Sequence, residues 1–246
     1  MKKKAISIIC LFLTVTMLTG MFPVSVSAAD SGVITGTFTY MPSFVDAAAT
    51  DTFYYSDGWF SSLAAQQNDH LRTMSMVLAL ASMEIEGSTY ITKLYNDLGY
   101  TDIRIDEMNE KPTANTIGTA IAHKRIDGRD VVALSIRGNK YGAEWASNLL
   151  AGAEGNIEGF DSAAGKVIDR LKSYIAEHQL SSAKLWIAGY SRAGSVADLL
   201  GVYINEHLDE FSTAADDVYV YCFEAPRCCA SDKVYPNMHR RYLLCR

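Results

Sequence analysis

The sequence predicts an α/β protein, a mostly parallel sheet with helices on its faces. Three observations lead there. The apolar period switches along the chain from helical spacing to short strand-like runs and back. Asp127-Gly128-Arg129 joins two apolar runs, and Asp-Gly in that setting is a strong hairpin signal. From Asp161 onward helical stripes alternate with buried strands, the pattern of parallel crossovers.

The elements follow in order. Residues 30–67 carry Thr, Ser, Ala and aromatics without a clear period and read as an irregular lead-in segment. The aromatic stretch Phe38 to Phe60 fits either core packing or a lipid-facing cover, and packing is the simpler reading. Asn68 can cap a helix running to about Ile85, with Leu71, Met74, Leu78, Ala81 and Ile85 on one face. Ser88 begins a second helix, with Ile91, Leu94, Tyr95 and Leu98 inward, and Gly99 ends it. Residues 100–115 are polar and read as a loop.

Ile117 to Ile126 and Val131 to Ile136 are strand-like. Ala164, Val167, Ile168, Leu171, Tyr174 and Ile175 form a helical stripe within Asp161 to His178. Lys184 to Ala188 is a short buried strand, residues 192–208 return to helical spacing, and Val218 to Phe223 is a further strand.

The first 29 residues read as an export signal. Lys2-Lys3-Lys4 is a charged start, Ala5 to Phe22 an uncharged apolar run, and Ser27-Ala28-Ala29 a small-residue cleavage site before Asp30. An uncleaved anchor is the alternative, weakened by those cleavage-site residues. The expected protein is therefore secreted.

The composition is globular: 246 residues, 49% hydrophobic and 20% charged. The net charge is −6, and losing Lys2, Lys3 and Lys4 makes it more acidic still. Such a chain is a poor nucleic-acid binder, because phosphate neutralisation needs a basic face. Cys222, Cys228, Cys229 and Cys245 cluster near the C-terminus without metal-binding spacing. They read as unpaired thiols.

The sharpest motif is Gly189-Tyr190-Ser191-Arg192-Ala193-Gly194, after an apolar strand and opening a helix. That is the setting of a nucleophile elbow. Ser191 would stand on a strained turn with its hydroxyl clear of the sheet. Gly189 and Ala193 would be small because strand and helix nearly touch there. The competing reading is an ordinary serine between strand and helix.

Three further blocks accompany the elbow. Val131-Val132-Ala133-Leu134-Ser135-Ile136-Arg137-Gly138-Asn139 precedes Glu144-Trp145 and Asn148-Leu149. Gly159-Phe160-Asp161 opens the helix before the elbow strand, and Phe223-Glu224-Ala225-Pro226-Arg227 follows the next strand. Together these blocks resemble the class 3 lipase family of α/β-hydrolases, which includes the fungal lipases, over about residues 115–230.

The resemblance implies an α/β-hydrolase-like core at 116–246, with 30–115 as its N-terminal irregular and helical segment. It implies hydrolysis of carboxylic or lipid esters through an acyl-enzyme on Ser191. The oxyanion would be held by the backbone N–H groups of Asn139 and Arg192. No metal or organic cofactor is implied, and membrane contact only through an interfacial substrate. Asn139 departs from the family's Ser or Thr, and a plain strand-end turn is the alternative for Arg137-Gly138-Asn139.

In this fold the acid and the histidine of the triad follow the serine. His207 falls in the helix leaving the elbow, and His239 lies shortly after the Pro-Arg turn. Asp198, Glu206, Asp209, Glu210, Asp216 and Asp217 belong to the post-elbow helix and the next loop, and Asp232 to a later loop. None fits an acid followed by a well-placed base. His239 to Arg246 shows neither strand alternation nor an acid.

The expectation is a C-terminally truncated hydrolase, without its last strands, triad acid and triad histidine. Val218 to Phe223 would then be an unpaired sheet edge. A short member recruiting His239 is the alternative. In function, the competitors to an esterase are an inactive pseudoenzyme that binds lipid or a partner, and an acyltransferase or peptidase.

Overall fold

Leu185-Trp186-Ile187-Ala188 has no polar face, and a strand with that pattern must be covered on both sides. The computed structural model of the chain describes residues 32–42, 47–113, 116–138, 158–226, 228 and 233–242. It is mixed α/β. Strand β1 (Val33–Tyr40) pairs antiparallel with β2 (Ala49–Ser56) in a small separate sheet. Helices α1 (Asp69–Ala81) and α2 (Thr89–Asp97) come next.

Among the described residues the main sheet has six strands in chain order. They are β3 (Thr101–Asp106), β4 (Thr119–Ile126), β5 (Arg129–Ile136), β6 (Lys184–Tyr190), β7 (Val218–Ala225) and β8 (Met238–Tyr242). The β3–β4 and β4–β5 pairings are antiparallel; β5–β6, β6–β7 and β7–β8 are parallel. Helix α3 (Glu158–Glu177) lies between β5 and β6 in the chain, and α4 (Arg192–Glu206) between β6 and β7.

Period-two alternation divides the sheet into two cores. Val132, Leu134, Leu185, Ile187, Val218 and Val220 face α3 and α4. Ala133, Trp186, Ala188, Tyr219, Tyr221 and Phe223 face α1, α2 and the β1–β2 hairpin. The second layer is aromatic. Trp186 stacks near Tyr55 (6.2 Å) and meets Phe60 edge-on (5.5 Å), and its indole N–H donates to Ser75 Oγ at 2.7 Å. A buried indole needs such an acceptor.

Several sequence expectations hold. Asn68 Oδ1 caps α1 by accepting the Leu71 N–H at 2.9 Å. Asp127 and Gly128 both have positive φ (49° and 80°) in a two-residue turn pairing Ile126 with Arg129. Two positive φ values are the type I′ requirement.

Others are corrected. Residues 33–40 and 49–56 are strands, not irregular chain, while Phe38, Phe53, Tyr55 and Phe60 pack in the core as expected. Helix α1 stops at Ala81, where the backbone N–H groups of Ser82 and Met83 both turn back to the Leu80 carbonyl; Ile85 is exposed. Residues 101–106 form edge strand β3 rather than loop; Ile103 and Ile105 alternate inward around Arg104.

The largest correction is at β8. The chain around His239 is a strand, so β7 is not a sheet edge. Its charged sequence is tolerated because Arg240 Nε pairs with fully buried Asp198 of α4 at 2.5 Å, and His239 stacks on Tyr221 at 4.7 Å.

Among the described residues no helix is long and apolar enough to cross a membrane.

Ile187 sits mid-strand between two packed faces with no exposed surface. Ile187→Ala should therefore cost about 3–4 kcal/mol in urea unfolding.

Candidate nucleophile site

β6 runs directly into α4 through one residue, Ser191. Its backbone has φ 57° and ψ −123°, a region that a side-chain-bearing residue rarely occupies. A serine in the ordinary N-cap role sits in the β region and accepts a helix N–H through its hydroxyl. Ser191 does neither: its side chain caps nothing in α4. The turn is held by Ser191 N–H donating to Phe223 O on the neighbouring strand at 2.9 Å, and by Ser195 N–H donating to Ser191 O at 3.2 Å.

The geometry explains the small residues. A Cβ on Gly189 would lie 2.2 Å from Ala193 O and 2.5 Å from Ala193 C. Both are backbone atoms and cannot step aside. A Cβ on Gly194 would lie 2.9 Å from Phe223 O. Ala193 itself is fully buried. Strand and helix are therefore pressed together at the point where Ser191 must reverse the chain.

The end of β5 comes against the elbow. A Cβ on Gly138 would stand 2.8 Å from Tyr190 O. Buried Arg137 anchors this end: its guanidinium donates to Met108 O (2.7 Å) and Glu107 O (3.2 Å), and its N–H to Gly118 O (2.8 Å). Burial pushes the Glu107 carboxyl up, but the Ile117 N–H, Arg170 and Lys166 outweigh it and hold the group below its ordinary value. Asn139 and the following blocks to 157 lie outside the described residues. Arg192 opens α4, buried, with a guanidinium N–H reaching Thr116 O at 3.2 Å.

On the far side, Glu224 has φ 47°, a region that favours glycine. Phe223 also borders a cleft of about 160 Å³ shared with Asn68, Arg72, Tyr221 and His239. Burial raises the Tyr221 phenol, whose hydroxyl has no hydrogen-bond partner among the described residues.

The structure does not bring the later histidines to Ser191. His207 Nδ1 lies 2.9 Å from Tyr203 O, and its ring stacks on Tyr203 at 4.1 Å. His239 Nε2 is 2.9 Å from Ala64 O. His239 is in register with Tyr221, and Tyr190 with Phe223. His239 is thus two strands across, roughly 10 Å, and at least two residues back, roughly 7 Å, from the elbow.

Four of the acids are paired elsewhere. Asp198 binds Arg240; Asp217 takes both arms of Arg129 (3.0 and 2.7 Å) and Lys184 (3.2 Å). Glu206 pairs with Lys233 and Glu210 with Lys172. Asp209 borders an open groove with Arg129, and Asp216 offers its carbonyl to the Ala64 N–H at 2.8 Å. Asp232 lies outside the described residues, as do the proposed export signal, Cys229 and Cys245. Cys228 is a buried thiol directed at Ser195 O, 3.2 Å away.

No family model, curated protein or solved structure matches the chain.

Ser191→Gly should raise stability by about 1 kcal/mol by relieving the strained backbone, while Ser191→Ala should leave it nearly unchanged. An ordinary capping serine would lose about 1 kcal/mol in the alanine variant. Gly189→Ala should cost at least about 3 kcal/mol, or prevent folding, because its clash is with backbone. These are read by urea unfolding.

Glu107 stabilises the fold above the ordinary Glu pKa, and that share is lost as pH falls through its lowered value. Glu107→Gln should flatten the loss of stability as the pH falls below the ordinary glutamate range.

Proposed function

We propose that this chain is a secreted serine ester hydrolase of lipase or carboxylesterase type, on an α/β-hydrolase-like fold. The observation that carries the reading is Ser191. It sits at the carboxyl end of a central parallel strand, in a strained conformation, with a hydroxyl that does not cap the helix it precedes. Strain kept where a relaxed serine would also join strand to helix supports a role for this position in presenting the hydroxyl.

Ser191 Oγ adds to the ester carbonyl carbon while its proton passes to water, which returns a proton to the departing alkoxide. The tetrahedral oxyanion collapses, the alkoxide leaves as the alcohol, and water then releases the acid from the acyl-enzyme. Arg192 and Asn139 supply the backbone N–H groups for the oxyanion. The support is positional: Arg192 begins α4 directly after Ser191, and Gly138, next to Asn139, abuts Tyr190. Such donors are worth about 3–4 kcal/mol each in the barrier. The chemistry needs no metal or organic cofactor. The substrate is an ester or lipid met at an interface, and the acidic chain is no partner for nucleic acid.

A second reading is a catalytically inactive relative that binds lipid or a partner. It is favoured by the engagement of His207 with Tyr203 and of His239 with Ala64. A serine lacking its base retains only the oxyanion and binding contributions, roughly 10³–10⁴ over water.

A fluorophosphonate probe should label wild-type protein at Ser191 and not Ser191→Ala. Short-chain p-nitrophenyl ester turnover measured alongside then separates the readings. Labelling with turnover of roughly tens per second requires a base within reach of Ser191. Labelling with only slow turnover leaves an activated but poorly assisted serine. Absence of both overturns the hydrolase reading.

A further inference from the structure

A second group of reactive side chains lies at the opposite end of the sheet. His123 of β4 is in register with Val132, and Val132 with Leu185 near the start of β6. Ser191 is six residues further along, roughly 20 Å away. Here Asp102, His123 and His178 bring one donor atom each within 4.8 Å of one another.

The hydrogen bonds around His123 settle its tautomer. The Tyr174 hydroxyl has one proton, and it donates that proton to Asp102 O at 2.9 Å. His123 Nδ1 lies 2.8 Å from the same hydroxyl oxygen, so Nδ1 carries the hydrogen and donates. In the neutral ring Nε2 is then a bare lone pair. It faces Asp102 Oδ2 at 3.7 Å. Two electron-rich atoms at that separation can share a cation between them. Donors about 2.0–2.2 Å from a tetrahedral ion lie roughly 3.4 Å apart.

The surroundings fit. A metal-binding histidine ordinarily donates its other N–H to a fixed acceptor, and a ligating carboxylate is itself hydrogen-bonded. Tyr174, fully buried, plays the first part; Thr101 Oγ1, 2.9 Å from Asp102 Oδ2, plays the second. Asp102 has φ 53°, and the β3–β4 register shifts between Thr101 and Arg104. Such bulges re-aim a side chain. His178 follows the last turn of α3, half-buried, its ring 5.1 Å from that of His123. Among the described residues nothing hydrogen-bonds the His178 ring, so it is available as the third donor.

We propose that Asp102, His123 and His178 form a binding site for a borderline divalent cation of the Zn2+ class. Two imidazoles and one carboxylate suit such an ion better than Mg2+ or Ca2+, which prefer all-oxygen sets. Three protein donors leave a solvent-facing position, because Asp102 is exposed. Closing the set draws the His178 ring inward by about an ångström. The ion then ties edge strand β3 to β4 and α3. The proposal is independent of the reading of Ser191.

The test uses the chelator-treated full chain, titrated with Co2+ by visible absorption and with Zn2+ by calorimetry. One ion per chain is expected, with a rise in Tm at saturating Zn2+ and no comparable response to Mg2+ or Ca2+. Affinity should fall at least tenfold in His178→Gln and in His123→Ala, and about tenfold in Tyr174→Phe, which releases the tautomer. His207→Gln should bind as wild type. His178→Gln keeps the test valid if His123→Ala does not fold. Absence of saturable binding, binding unchanged in His178→Gln, or preference for Mg2+ or Ca2+ overturns the proposal.

Discussion

The structure turns on the contact between Gly189 and Ala193. The carboxyl end of β6 and the first turn of α4 approach so closely that no side chain fits between them. The chain must reverse within one residue, and Ser191 takes up the reversal with a positive φ and an extended, negative ψ. The neighbouring strand secures it through Phe223 O. Gly138, just past the end of β5, abuts the Tyr190 backbone before the serine. A larger residue at Gly189 or Gly138 would move the backbone around the serine, not merely crowd it.

This strain is tolerable because the sheet beneath is over-determined. β5, β6 and β7 are buried on both faces, against α3 and α4 on one side and the aromatic layer on the other. Each strand's register is specified twice over, since a one-residue slip would exchange two different cores. Trp186 makes the exchange costlier, because its indole N–H has its acceptor, Ser75, only on the α1 face. The rigid platform supplies the free energy that a strained turn of ~1–3 kcal/mol requires.

Polar contacts do the positioning that apolar packing cannot. Arg137 and the Glu107 cluster hold the segment before β4 against the end of β5. Arg129 and Lys184 gather on Asp217 at the other end of the sheet. Arg240 enters the layer beside α4 only because Asp198 is there to meet it. Removing one member of that buried pair would leave an uncompensated charge, which is far more damaging than replacing both.

The sequence alone determined what is local. The Asp127-Gly128 turn, the Asn68 cap, the helical stripes, the apolar strands and the strand–Ser191–helix junction all depend on residues adjacent in the chain, and all were legible there. Tertiary structure decided what depends on distant partners. β8 is a strand because β7 offers it hydrogen bonds, Tyr221 a ring for His239 and Asp198 a charge for Arg240. β3 and the β1–β2 hairpin are strands because edge pairing and the Trp186 cluster outweigh their weak local pattern. The orientation of His239 toward Ala64 and the meeting of Asp102 with His123 and His178 were likewise settled by folding. Short-range backbone preference is written into neighbouring residues, whereas a side chain's partner is set by the packing of elements far apart in sequence.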